Sequence, residues 1–194
     1  MKFKTLRTIR NNEVEKMIGG YIGEGACKIV YDYIPDGGYV IKKGRDLLPF
    51  EITEIEDFSP YLLSDFYKSI ENGTAKLNQE FNGVLNGQMV TELAVWNKIE
   101  DTSLVNYVAK IIDAFRDEAG YLYIVQEKTF KYDEEEDNFD TEYYDFLEWA
   151  NEKIHVNEFD ALNIEIHDMD PENVGWIDDR LVLLDFGLAE SSNY

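Results

Sequence analysis

The sequence predicts an α+β fold: a five-stranded antiparallel sheet with one inserted helix, then an acidic connector and a small, mainly helical part ending in two short strands. Three observations carry this. Apolar runs of strand length, bounded by Gly, Pro and Asp, fill 18–43 and 105–127. Between them Met89, Leu93, Trp96 and Ile99 recur at helical spacing, and the charge run DEEEDNFDTE (133–142) separates all of this from a second amphipathic stretch. At 194 residues, 44% hydrophobic and 14% aromatic, the chain can bury one core or build two small lobes around one cleft. The expected division is a lobe over 1–127, expanded at about 44–87, and a smaller lobe over 128–194.

The elements follow in order. Ile18 to Gly23, Lys28 to Tyr33 and Tyr39 to Lys43 read as an antiparallel meander, with PDGG (35–38) as the turn between the second and third strands. From Gly44 to about Asn86 the pattern is mixed, with helix around 60–70 and 75–85, broken by Asn-Gly pairs. Gln88 to Glu100 is one amphipathic helix, with Glu92 beside its apolar stripe. Val105 to Phe115 and Tyr121 to Glu127 are strands joined by RDEAG. The charge run is a solvated loop between the two parts. Glu142 to about Lys153 is a helix with Tyr143, Phe146, Leu147 and Ala150 on one side. Val174 to Ile177 and Leu181 to Leu184 form a hairpin across DDR.

Composition excludes several classes. A single Cys rules out a disulfide framework. No apolar run of about 18 residues occurs, so a soluble, cytoplasmic protein with no membrane association is expected. A formal net charge of −22 disfavours direct contact with nucleic acid or anionic lipid. It describes either a solvated acidic surface or a face that docks on a basic partner. An anionic nucleotide still binds where local lysines, backbone amides and a divalent cation reverse the field.

Four stretches can carry such chemistry. In IGEGACKIV (22–30), Gly23 and Gly25 allow close approach of backbone to an anion, and Val30 can cover a planar base. Lys28 in the same stretch either reaches a phosphate or points into solvent. In YVIKK strand alternation lets only one lysine face a cleft, and Lys42, following Val40 and Ile41, is the candidate. A buried ammonium needs a carboxylate, and Glu92 is the expected partner. In DMDPEN, Pro171 favours a tight loop that brings Asp168 and Asn173 toward one centre, while the hairpin returns Asp185 beside Asn173. An Asn amide oxygen and an Asp carboxylate suit a magnesium ion shared with phosphates. Asp168 is then free to orient a hydroxyl nucleophile or accept its proton.

In order, IGEGACKIV, YVIKK, TELAVW, LYIVQEK, HDMDPENVG and LLDFGLAE resemble the glycine-rich loop, strand-three Lys, helix C Glu, hinge, catalytic loop and DFG of the protein-kinase-like superfamily, over about Met17 to Glu190. The resemblance is to its small, atypical bacterial and phage members. It implies a bilobal fold with a five-stranded N-lobe, helix C and a reduced C-lobe. It further implies ATP and Mg2+ as ligands. Backbone near Gly23 and Gly25, with Lys28 and Val30, would hold the nucleotide, and Lys42 paired with Glu92 would hold its phosphates. Gln126 would be the gatekeeper, and Glu127 to Thr129, including Lys128, the hinge. Asp168 would be the catalytic base, and Asn173 and Asp185 the metal ligands.

Some positions depart from that pattern. IHD replaces HRD, so His167 stands at the Arg position that a phosphorylated activation loop would engage. Asp170 replaces the Lys two residues after the base. Only ESSNY follows DFGLA, so the sequence holds no activation segment or peptide platform, and either the chain is shortened or the fold is minimal. The hydroxyl acceptor would then be a protein, a small molecule or the chain itself, through Ser191, Ser192 or Tyr194. The alternative is a pseudokinase or acidic inhibitor, using the fold as a scaffold for a basic partner such as a nucleic-acid enzyme.

Overall fold

The computed structural model describes residues 6–25, 28–44, 87–131, 144, 148, 165–166, 173–178, 180–186 and 189–190. The strands are β1 (Arg7–Ile9), β2 (Ile18–Glu24), β3 (Lys28–Tyr33), β4 (Tyr39–Gly44), β5 (Ile111–Asp117), β6 (Leu122–Glu127), β7 (Phe130–Lys131), β8 (Glu165–Ile166), β9 (Val174–Ile177), β10 (Arg180–Leu183) and β11 (Ala189–Glu190). The helices are α1 (Asn11–Val14) and α2 (Gly87–Ile99), with a 3-10 turn at Ser103–Tyr107. The expected helices around 60–70 and 75–85 lie outside the described residues. Of the expected 142–153 helix only Tyr144 and Glu148 are described, both helical and exposed.

The main sheet has six strands, in the order β1-β5-β6-β4-β3-β2. The five expected strands pair antiparallel with one another, but β1 joins the edge parallel to β5, so the sheet is mixed rather than five-stranded and antiparallel. The sixth strand is held by side chains rather than by length. The Arg7 guanidinium forks onto both carboxylate oxygens of Asp113, Nη1 at 2.7 Å from Oδ1, and lies 5.5 Å from the Phe115 ring centroid. Ile9 is the buried residue of this strand.

The strand expected from Val105 starts only at Ile111. Thr102 caps the preceding turn by accepting from Leu104 N at 3.2 Å, and this winds 103–107 into a 3-10 turn. Between β5 and β6, Asp117 Oδ1 accepts from Ala119 N and Tyr121 N, both at 2.9 Å, while Gly120 takes a φ of 91° that only glycine adopts without strain.

Alternation divides the sheet into two faces. The outer face carries Ile41, Phe115, Tyr123 and Val125, joined by Ile9 of β1 and Val14 of α1. Register sets Val30 against Lys42, Lys42 against Ile124 and Ile124 against Ala114, so this row shares the opposite face. Met89, Leu93, Trp96 and Ile99 of α2 are all buried, as the helical spacing requires, and Glu92 and Val95 are buried with them.

A three-stranded sheet, β10-β9-β7, follows. Its hairpin pairs Arg180 with Ile177 and Leu183 with Val174, one residue earlier than expected, and Asp178 turns it with a φ of 53°. Gly175 is dictated by packing, because a Cβ there would lie 2.8 Å from the Thr129 side chain. Ala109 N donates to Leu183 O at 2.9 Å, which ties the hairpin to the chain entering β5.

Candidate functional site

The hairpin, β3, β4 and α2 deliver charged groups to one place. Lys42 Nζ donates to Glu92 Oε1 at 2.5 Å and to the Leu184 carbonyl oxygen at 2.6 Å. Lys28 Nζ lies 3.6 Å from the other Glu92 oxygen and forms an ion pair with Asp185. The order in space is therefore Leu184 carbonyl, Lys42, Glu92, Lys28, Asp185. Glu92 is fully buried, Lys42 is 4% and Lys28 7% exposed, and the Asp185 side chain is 23% exposed.

Each group arrives for a local reason. Lys42 faces inward because Ile41 takes the outer face, and Lys43 consequently points the other way, 4.4 Å from the Tyr121 ring centroid. Lys28 opens β3 two residues before Val30 and shares its face, so it reaches the cluster and does not point into solvent. Asp185 follows β10, where Leu184 N donates to Asn173 O at 2.7 Å. That bond returns the chain beside Asn173.

Burial pushes the Lys42 ammonium below its usual pKa; Glu92 opposes this and the like charge of Lys28 adds to it. Two ammoniums and two carboxylates balance in the cluster, at a desolvation cost that apolar residues of similar size would not carry.

Asn173 and Asp185, the expected magnesium ligands, stand on stretches of chain joined by the Leu184 N to Asn173 O bond. They offer an amide and a carboxylate oxygen from adjoining stretches of chain, and Asp185 already accepts a cationic partner. Among the described residues no cluster of three or more His, Cys, Asp or Glu side chains could hold a metal ion.

The other described candidates are held by contacts of their own. Gly23 lies in β2 opposite Val30, and Gly25 N donates to Lys28 O at 2.9 Å. No atom lies within 4 Å of a Cβ added at either glycine, and neither has a positive φ, so internal packing and backbone conformation do not demand glycine there. Gln126 is buried and donates from Nε2 to Ala109 O at 2.9 Å. The Glu127 and Lys128 amides donate to Lys110 O and Gly38 O, each at 2.9 Å. Glu127 Oε2 accepts from Lys110 N at 3.0 Å, and Lys128 Nζ bonds Asp32 at 2.7 Å. Asp168 lies outside the described residues; Ile166, two places before it, pairs with Ala189, four places after Asp185.

Two features were missed in the sequence. The Leu184 carbonyl has no side-chain signature. The Lys28 to Asp185 pair had one, since period-two spacing already placed Lys28 on the Val30 face.

No family model matches the chain, and no curated protein matches it. Among matching solved structures is the CAK complex from Chaetomium thermophilum bound to ATP-gamma-S, 18% identical, with a TM-score of 0.49, covering 94% of this chain and 50% of that one. This chain thus spans half the length of the chain it matches. A likeness of that degree assigns neither family nor activity. No described helix is long and apolar enough to cross a membrane.

Proposed function

We propose that the chain is an ATP- and Mg2+-dependent phosphotransferase of the protein-kinase-like type, moving the γ-phosphoryl group to a hydroxyl acceptor. The observation that carries this is the convergence of Lys42, Glu92, Lys28 and Asp185 from four separate stretches onto one buried point. Two buried lysines and a fully buried Glu are a poor way to stabilise a sheet and a good way to hold phosphates. The order of motifs along the chain supports the same reading.

Lys42, fixed by Glu92 and Leu184 O, would bind phosphate oxygens without having to be ordered first. Mg2+ held by Asn173 and Asp185 would neutralise charge on the transferring group. Asp168 would orient the acceptor hydroxyl and take its proton. Glycine at 23 and 25 would leave room for phosphates against the backbone, and Val30, on the same face as Lys42, would cover the base. Gln126 would border the base, and the chain from Glu127 to Thr129 would meet its edge. The acceptor would be a protein Ser or Thr, the chain itself or a small molecule.

Thermal melting with and without Mg-ATP tests this. At about 100 times the dissociation constant the ligand should stabilise the fold by roughly 2.7 kcal/mol, and Lys42→Met should abolish the shift. Radiolabel transfer lost in Asp168→Ala would separate catalysis from binding. The net charge of −22 favours a second reading, a scaffold for a basic protein. Tight capture of such a protein, unaffected by Lys42→Met and with no Mg-ATP shift, would select it.

A further inference from the structure

The two lysines of the cluster are held differently. Lys42 lies mid-strand with short bonds to Glu92 and to the Leu184 carbonyl. Lys28 is the first residue of β3, next to the turn closed by Gly25 N to Lys28 O, with Glu92 at 3.6 Å and its ion pair to Asp185. Lys42 is thus held mid-strand by two short bonds, whereas Lys28 is held at the end of its strand by the ion pair to Asp185 and a longer contact to Glu92. Asp185 also carries the oxygen that the proposed function gives to Mg2+.

We propose that the Lys28 ammonium and a divalent cation compete for the Asp185 carboxylate, and that Lys28 passes to a nucleotide phosphate oxygen when the cation takes Asp185. This rests on the reading of the site as one for Mg2+ and nucleotide. The charge balance favours the handover. A divalent cation added beside an unmoved Lys28 would place both against one carboxylate in a poorly solvated pocket, where like charges repel strongly. Phosphate oxygens are the anions that arrive with the cation, and Lys28 is already on the face that would meet them. Metal and nucleotide then each favour the other, because each removes the partner that the other must displace.

The test titrates the full chain with Mn2+, followed by electron paramagnetic resonance without nucleotide, and separately with a fluorescent ATP analogue at saturating Mn2+. Lys28→Met should bind Mn2+ about tenfold tighter than wild type, as expected when a competitor occupying Asp185 about nine-tenths of the time is removed. Lys28→Gln, which keeps a donor but not the charge, carries the same expectation should the Met variant not fold. Lys28→Arg should match wild type, and Asp185→Asn should lose Mn2+ in every background. Analogue binding should move the opposite way, weakening in Lys28→Met. Unchanged or weaker Mn2+ binding in both neutral variants, with analogue binding intact in wild type, overturns the exchange and leaves the proposed function standing. Absence of analogue binding in wild type overturns the handover to phosphate together with that function.

Discussion

The two faces of the main sheet are built from alternate residues of the same strands, yet they solve opposite problems. Outside, Ile41, Phe115, Tyr123 and Val125 pack with Ile9 and Val14, and Phe115 and Tyr123 stack at 5.3 Å between ring centroids. Inside, the same sheet presents Lys42 and Lys28 along with Ile124 and Ala114, and α2 adds a fully buried Glu92. One face gains free energy from removing apolar area from water. The other gives some of it up to hold charges out of water, so stability and the site are separated by a single residue step along each strand.

The largest effects should come from breaking either face. Phe115→Ala leaves a cavity in the outer core and should cost about 3–5 kcal/mol in urea denaturation. Glu92→Ala strands the inner lysines and should cost a similar amount, about 3–5 kcal/mol. The faces part company in rescue: adding Lys28→Met and Lys42→Met to Glu92→Leu should recover most of the inner loss, because the charges themselves are the burden. No such combination restores Phe115→Ala without refilling its volume. A triple variant no more stable than Glu92→Ala would show that the inner face is held by its ion pairs.

A smaller effect probes how the hairpin serves the inner face. Gly175→Ala pushes β9 off Thr129 and should cost about 1–3 kcal/mol by overpacking. Since β9 follows Asn173 and pairs with the strand leading to Leu184, the same variant should weaken the Mg-ATP melting shift. A shift of full size would uncouple the hairpin from the cluster.

The smallest effect is the alkaline limb of the stability curve, where the faces titrate with opposite signs. Burial, then the Asp117 charge, raises the Tyr123 phenol well above its usual 10.0, so its contribution is complete below about pH 10 and fades as pH climbs toward the folded-state value. Burial lowers Lys42 from 10.5, so that part of the curve rises with pH through its depressed value toward 10.5. Tyr123→Phe should flatten the fall above about pH 10 in chemical denaturation. An unchanged slope would remove the phenol from the account.

Much of this division was legible beforehand. Strand alternation separated Lys42 from Lys43, and helical spacing put Glu92 at the margin of a buried stripe; both are side-chain periodicities that the sequence states directly. The same parity placed Lys28 inward, but a glycine-rich turn left its direction open. The sixth strand was not legible because three residues with one apolar side chain carry no pattern, and Arg7 finds Asp113 from 106 positions away. The Ser103–Tyr107 turn was hidden in an apolar run that suits a strand equally well, and only the Thr102 cap decides it. Backbone groups such as the Leu184 carbonyl leave no trace in side-chain chemistry.

The ladder between β3, β4 and β6 has a further consequence. A slip of β4 by one position would carry Lys43 inward and Lys42 out over Tyr121, and would turn Ile41 away from its apolar neighbours at the same moment. Misregistered chains would thus forfeit solvent exclusion on one side and charge matching on the other together. Quality control is built into the pairing: a molecule folded well enough to persist has already brought its buried charges together.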